Sequence, residues 1–160
     1  MDYPESIKAL IYKQLLHLFH LQEQRLELEL KEIKDLVQLH QLKGVPGSLS
    51  AIHVLDCIGN HEPINHSAIV DKLNLSKASI TKINKKLLAL GLINRTQLND
   101  NRKEVYFRLM PLGKQLFEMH RALHEAEEQS FIRFLDSYSD SEHQTILKFF
   151  QGVTRYIGER

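Results

Sequence analysis

The stretch NHSAIVDKLNLSKASITKINKKLLALG, residues 65–91, decides the fold. Asn65 and Ser76 carry side chains that can accept hydrogen bonds from the free N–H groups at the start of a helix, and Gly91 suits the turn that ends one. Apolar residues recur at helical spacing between these limits. The stretch therefore predicts two short helices joined by a tight turn, and the second helix begins at Ser76 and ends at Gly91.

The second of these helices has one apolar face and one small, hydroxylic and cationic face. The apolar face consists of Ile80, Ile83, Leu87 and Leu90. The opposite face consists of Ala78, Thr81, Lys82 and Lys85, with Ser79 and Lys86 at its edge. Lysine suits DNA phosphates, and small hydroxylic side chains can approach base edges and thymine methyl groups. A lysine-rich helix face is also commonly just solvated, so this face alone does not establish DNA binding.

A basic hairpin follows the helix. Leu92–Leu98 and Glu104–Met110 are predicted to be strands, with a turn at residues 99–103. The segment from Lys77 to Arg108 contains eight basic and two acidic residues, a formal charge of +6, whereas the rest of the chain carries −5 and the whole chain +1. A cationic surface on an acidic scaffold suits a protein that approaches phosphates from one side. Two helices, a turn and a hairpin in this order are typical of a winged helix-turn-helix.

Length and composition limit the class of protein. The chain has 160 residues, of which 42% are hydrophobic and 26% charged, which suits one domain or a domain plus a dimerisation element. No apolar run approaches the ~18 residues that a membrane span needs, and the first residues lack a signal pattern. The single cysteine, Cys57, excludes an internal disulfide. We therefore expect a cytoplasmic protein with no membrane partner.

Long helices are predicted on both sides of the DNA-binding stretch. Residues 5–43 contain no Gly or Pro, so one helix or two with a bend is expected there, although the alternation at Leu26–Leu30 would also fit a strand. The predicted fold is mainly α with a small β-hairpin wing. We expect an N-terminal dimerisation helix at 1–43, a winged helix-turn-helix domain at 48–111 and C-terminal dimerisation helices at 112–160.

Two motifs resemble the MarR family of winged-helix transcription regulators. The first is SKASITK, which starts at Ser76 and is followed by LGLINR, and the second is DNRK, a strand and LMPLG, which starts at Asp100. The family's wing reads Asp-x-Arg-Arg, strand, Leu-Thr-x-x-Gly. Lys103 stands where arginine is usual, so the phosphate contact is kept but the bidentate fork is lost, and Met110 replaces a helix-capping threonine.

The resemblance implies a homodimer that binds double-stranded DNA at a pseudo-palindromic operator and is expected to act as a repressor. Two recognition helices would enter successive major grooves. Arg102 of each wing would reach the flanking minor groove, while Asp100 would hold the wing in shape without contacting a base. The residues predicted at the DNA interface are Ser76, Lys77, Ser79, Thr81, Lys82, Lys85, Lys86, Arg95, Asp100, Arg102 and Lys103.

A pair of histidines suggests a metal effector. His120 and His124 are one turn apart on the helix after the wing, so their imidazoles can bind one cation. Zinc-uptake repressors within the MarR family have two histidines at these positions, a third at the position of His53 and a glutamate on the first helix. The resemblance implies a regulatory zinc site of His53, His120, His124 and Glu27, with Glu23 as the next choice for the glutamate.

Simpler interpretations of these histidines stay open. The chain has nine histidines, so one His-x-x-x-His pair is unsurprising and could line a helix surface or an interface. His53 could be a satisfied core residue. The second metal site of the zinc-uptake repressors is not expected, because Ile52 and Met119 occupy two positions that need acidic residues.

Three other functions compete with zinc sensing. An oxidant could act through Cys57, although a buried cysteine is the commoner case. A small aromatic ligand could bind between the dimerisation helices and the winged domain. A zinc-dependent hydrolase is disfavoured because His124 precedes Glu125 without the second histidine of a His-Glu-x-x-His motif, and no nucleophile elbow is present. The chain is therefore predicted not to be an enzyme.

Overall fold

The computed structural model describes residues 6–42, 44–98 and 103–159. These ranges form six helices and a three-stranded antiparallel sheet. The elements are α1 (Ile7–Leu39), α2 (Leu49–His61), β1 (Ile64–Asn65), α3 (His66–Leu73), α4 (Lys77–Ala89), β2 (Ile93–Thr96), β3 (Tyr106–Leu109), α5 (Pro111–Leu135) and α6 (Asp140–Gly158).

The first element, α1, is one continuous helix of 33 residues, so the alternating segment Leu26–Leu30 is helical and not a strand. Ser6 caps it by accepting a hydrogen bond from the backbone N–H of Ala9. Its buried residues are Ile33 and Val37, near its C-terminal end. Many apolar side chains of its first two-thirds are exposed, among them Ile7, Leu10, Ile11, Tyr12, Leu18, Phe19 and Leu21.

The helix-turn-helix consists of α3 and α4 packed on α2, and its caps are those that the sequence predicts. Asn65 accepts a hydrogen bond from Ala68 N at 2.9 Å, and Ser76 accepts one from Ser79 N at 3.1 Å. Asn74 ends α3 in the left-handed conformation, with φ of 52°. The three helices share a core of fully buried residues: Ile52, Leu55, Ile58, Ile69, Ile80 and Leu87.

The wing pairs β2 and β3, as predicted, over shorter spans than the sequence pattern indicates. A third strand, β1, pairs with the other edge of β3, which gives the order β1-β3-β2. Two residues are too few to produce a periodic pattern, so this strand was not predicted. Gly113 lets α5 approach the sheet, because a Cβ there would lie 1.9 Å from the carbonyl oxygen of Leu92.

The chain divides into two compact units, Met1–His120 and Arg121–Arg160. The first unit extends beyond the predicted domain boundary at residue 111, because Leu116 and His120 of α5 are buried. The second unit contains the end of α5 and α6, and α6 begins with a capping box formed by Ser139 and Glu142. No helix in the described part of the chain is long and apolar enough to cross a membrane.

Candidate nucleic-acid interface and metal centre

The outer face of α4 has the exposure that a DNA-reading helix needs. Ile80, Asn84 and Leu87 are its buried residues. The residues of this helix predicted on its outer face or at the DNA interface are exposed, namely Lys77, Ala78, Ser79, Thr81, Lys82, Lys85 and Lys86. The burial of Asn84 was not predicted, and its side-chain amide finds no hydrogen-bond partner among the described residues.

The hydroxyl groups on this face are held by neighbouring groups. The Oγ atoms of Ser76 and Ser79 lie 2.8 Å apart. The Thr81 hydroxyl donates to the carbonyl oxygen of Lys77 at 2.9 Å, and the same hydroxyl oxygen lies 3.0 Å from Nε2 of His66, the first residue of α3. The orientation of Thr81 is therefore set by groups from two helices.

Lys86 differs from the other lysines of α4 in its surroundings. Its Nζ would lie 2.8 Å from a Cβ added at Gly47, so its ammonium stands over the loop that precedes α2. An ammonium close to this backbone is less available to a DNA phosphate than one directed into solvent. Lys82 and Lys85 are exposed and show no such contact in the described residues.

The base of the wing is tied to the start of α3. Asn65 uses its Oδ1 to cap α3 and its Nδ2 to donate to Glu104 Oε1 at 2.7 Å. Tyr106 donates its hydroxyl to Glu104 Oε2 at 3.0 Å, and this hydrogen bond is the main reason why the pKa of Tyr106 is raised. Glu104, an acidic residue inside the cationic segment, therefore holds β3 against the helix-turn-helix.

The predicted wing residues are only partly described. Arg95 lies on β2, is exposed and pairs with Phe107 of β3, and Lys103 is exposed just before β3. Asp100 and Arg102 lie outside the described residues. Their roles at the wing tip therefore stay as predictions from the sequence.

The candidate metal centre is built around His120, which is buried on α5 with 1% of its surface exposed. Its Nδ1 lies 2.5 Å from Asp56 Oδ2 of α2, and its Nε2 lies 2.9 Å from Glu29 Oε1 of α1. The other oxygen of Asp56, Oδ1, is buried without a hydrogen-bond partner among the described residues. Three helices thus bring one imidazole and two carboxylates together.

The two carboxylates govern the protonation of His120. Burial lowers the pKa of the imidazole, but the hydrogen bonds and charges of Asp56 and Glu29 outweigh it, so the pKa of His120 lies above its ordinary value. A doubly protonated ring can donate to both carboxylates, whereas a neutral ring can donate to one. Loss of the Nε2 proton leaves a nitrogen lone pair beside the carboxylate of Glu29. An imidazole nitrogen and a carboxylate oxygen are both common zinc ligands.

The other predicted metal ligands differ in their exposure and in their position relative to His120. His124 lies one turn beyond His120 on α5 and is exposed. His53 of α2 is exposed, with its ring centre 6.2 Å from that of His120. Glu27 was the glutamate predicted from the sequence, but the glutamate of α1 that contacts His120 is Glu29. Glu27 is exposed and lies about 200° around the helix from Glu29, on another face.

A cleft of about 450 Å³ opens beside this cluster. Its lining comes from α2 and α3 and consists of His53, Asp56, Cys57, Asn60, His61, Lys72 and Leu73. The Cys57 thiol is buried, and burial raises its pKa more than the nearby Lys72 lowers it. A raised pKa reduces the fraction of reactive thiolate, which disfavours the oxidant-sensing alternative.

Comparison with known proteins identifies the family. The model of the MarR family matches residues 48–105. The HTH-type transcriptional regulator PchR of Bacillus subtilis (strain 168) is 43% identical over 147 residues, which cover 92% of this chain and 87% of PchR. The chain belongs to the MarR family. It is a transcriptional regulator that binds DNA and not an enzyme, so the hydrolase alternative is excluded.

Solved structures with the same MarR fold include ZitR and FabT. The crystal structure of ZitR from Lactococcus lactis, described as a zinc-responsive MarR family member, has 21% identity and a TM-score of 0.64 over 79% of this chain and 94% of ZitR. FabT from Streptococcus pneumoniae, in complex with DNA, has 22% identity and a TM-score of 0.61 over 86% of this chain and 98% of FabT. These likenesses confirm the predicted fold class.

Two residues of the candidate metal centre, Glu29 and Asp56, were not predicted from the sequence. Glu29 precedes Ile33 and Val37 at intervals of four, so it lies on the face of α1 that is buried in the structure. Asp56 follows His53 by three residues on α2, which is also a same-face spacing. Glu104 and His66 gave no comparable signal, because the partners that tie them to other elements, Asn65 and Thr81, are 39 and 15 residues away.

Proposed function

We propose that this MarR protein is a zinc-responsive repressor that binds operator DNA as a homodimer. The contact between His120 and Glu29 carries the proposal, because it joins an imidazole nitrogen and a carboxylate oxygen in a buried position. These are common zinc donors. ZitR has the same fold and is described as zinc-responsive, which supports the same interpretation.

The proposed ligands are Glu29, His120 and His124, with His53 as the fourth candidate. Glu29 is half-buried, His120 buried and His124 exposed. Asp56 is not proposed as a ligand. It accepts from Nδ1 of His120 and so directs Nε2 toward Glu29. When bound, zinc would supply a fixed positive charge that joins these side chains.

The homodimer is supported by the apolar surface of each compact unit. In the second unit, large apolar side chains are exposed on the end of α5 and on α6, including Phe131, Ile132, Phe134, Leu147, Phe149, Phe150, Tyr156 and Ile157. Soluble monomers rarely expose this many large apolar residues on adjoining helices. We propose that a second copy covers them, and sedimentation equilibrium should give about twice the chain mass of 18.6 kDa.

The repressor role requires that DNA affinity depend on zinc. Glu29, Asp56 and His120 belong to α1, α2 and α5, so the centre joins three helices, and α2 also packs on α3 and α4 through the shared core. A bound cation favours whichever arrangement of these helices brings its ligands together. We propose that this arrangement is the one that fits DNA, so that zinc promotes binding.

A direct test of the metal centre compares Glu29→Gln with Glu27→Gln. Both changes remove one carboxylate charge from α1, but only Glu29 contacts His120. Zinc affinity is measured by competition with a chromophoric chelator. Glu29→Gln and His120→Ala should each weaken zinc binding by about tenfold or more, while Glu27→Gln should leave it unchanged.

Circular dichroism confirms that each variant is folded before its zinc affinity is interpreted. Weaker zinc binding in Glu27→Gln but not in Glu29→Gln would show that the ligand is Glu27, the residue predicted from the sequence. Unchanged zinc affinity in Glu29→Gln, Glu27→Gln and His120→Ala would refute the centre.

A small aromatic ligand is the second candidate effector, and the cleft beside Asp56 is the observation in its favour. This cleft is lined by α2 and α3 and so lies within the winged domain, not between that domain and the dimerisation helices as predicted. Lys72 and His61 of the lining could pair with a carboxylate, and Leu73 could contact an aromatic ring. The two effectors can be separated with benzoate and zinc as probes. DNA affinity that changes with benzoate and not with zinc would favour the second candidate.

A further inference from the structure

The hydrogen bonds around Thr81 determine which of its groups faces outward. A hydroxyl has one proton, and that of Thr81 is donated to the carbonyl oxygen of Lys77. The Thr81 oxygen must therefore accept the second hydrogen bond, so Nε2 of His66 is the donor and carries a proton. The three groups form a directed chain from His66 through Thr81 to Lys77.

This chain selects one rotamer of Thr81. In a helix, threonine divides between two χ1 rotamers, because its hydroxyl can bond the carbonyl of the preceding turn in one of them. The hydrogen bond from His66 adds to the bond with Lys77 and stabilises the same rotamer. With the hydroxyl occupied on that side, the methyl group of the exposed Thr81 is the part left to contact a ligand.

We infer that His66 is a specificity-determining residue of the DNA interface. Its hydrogen bond keeps the Thr81 hydroxyl directed toward His66 and Lys77, so that the Thr81 methyl group contacts the C5 methyl of a thymine in the major groove. His66 acts through Thr81 and is therefore a positioning residue for base recognition. The inference rests on α4 as the DNA-reading helix and is independent of the proposed response to zinc.

The test first selects a binding site from randomised DNA with the wild-type protein. Thymines in the selected half-site are then replaced one at a time by deoxyuracil, which removes only the C5 methyl. At one position wild type should lose about fourfold in affinity, the effect of one buried methyl group. Thr81→Ser, which lacks the Thr81 methyl, should show no loss there.

The measured quantity is the ratio of the affinity for the thymine duplex to the affinity for the deoxyuracil duplex at this position. His66→Ala should reduce this ratio to about twofold or less, because both Thr81 rotamers become populated. His66→Gln can still donate to Thr81 and should restore most of the ratio. Lys82→Ala is the matched control, since it should lower overall affinity while leaving the ratio unchanged. A variant that only disturbed folding would lower affinity for both DNAs alike.

Two results would overturn the inference. One is a wild-type ratio of one at every thymine of the selected site, which would show that no methyl group is read. The other is a full wild-type ratio in His66→Ala, which would show that Thr81 needs no help from His66. The ratio is measured both with zinc and with a chelator. A failure of the zinc proposal can then be distinguished from a failure of the inference about His66.

Discussion

His120 owes its orientation to Asp56, whose carboxylate lies against Nδ1 on the side opposite Glu29. A carboxylate in this position fixes the tautomer of a metal-binding imidazole and raises its basicity. Among the described residues, Oδ1 of Asp56 is buried without a hydrogen-bond partner, which costs solvation free energy. Asp56 is therefore the residue whose change should weaken zinc binding without removing a ligand.

Asp56→Asn should lower zinc affinity by about 10- to 100-fold in a chelator competition assay. An amide can still accept from Nδ1 of His120, but it supplies no negative charge. Asp71→Asn is the matched control, because Asp71 is an exposed carboxylate on α3 and should have no effect. Equal zinc affinity in Asp56→Asn and wild type would show that Asp56 does not orient the centre.

Cys57 should react slowly in the folded protein. Alkylation requires the thiolate, and burial raises the pKa of this thiol, so the reactive fraction near pH 7 is smaller than in the unfolded chain. The rate of labelling by iodoacetamide should rise with pH, and this rise should come at higher pH in the folded protein than in urea. Equal rates in both states at pH 7 would revive the oxidant-sensing alternative.

At this scale the sequence predicts histidines better than their carboxylate partners. His120 and His124 are recognisable because their spacing on one helix is fixed by helix geometry. Choosing between Glu27 and Glu29 requires knowing which face of α1 is buried, and the many apolar residues along α1 obscure that face. Asp56 shares a helix face with His53, but its hydrogen bond to His120 joins residues 64 positions apart, and that of His66 joins residues 15 positions apart. No local pattern reports such pairings.

The helix α4 is the element that was most completely predictable. Its cap, the burial of Ile80 and Leu87 and its exposed cationic face follow from residues within one short segment, whereas the burial of Asn84 does not. The strand β1 was missed because its two residues pair only with β3, over 40 residues later. Local signals predict an element well when its own residues determine it, and poorly when a distant strand does.

Lys82 and Lys86 should contribute differently to DNA binding although both lie on α4. Lys82→Ala should reduce the slope of log affinity against log salt concentration by about one unit, because one phosphate contact is lost. Lys86→Ala should leave the slope nearly unchanged, since its ammonium stands over Gly47. Equal reductions in both variants would show that Lys86 leaves the loop to bind phosphate.

In the whole molecule, the cationic segment and the proposed metal centre occupy different elements. The cationic segment from Lys77 to Arg108 carries +6, while the rest of the chain carries −5. Glu29, Asp56 and His120 lie on α1, α2 and α5, all outside that segment. We therefore expect DNA binding and the proposed effector binding to influence each other through the packing of helices, as in allosteric coupling.

DNA affinity with and without zinc tests this account most directly. Fluorescence anisotropy is recorded with a labelled duplex selected from a random library, using wild type and Glu29→Gln. Zinc should raise the affinity of wild type by about 5- to 150-fold, the usual range of allosteric coupling, and should have little effect on Glu29→Gln. Wild-type affinity that is the same with zinc and with a chelator would contradict zinc-dependent repression.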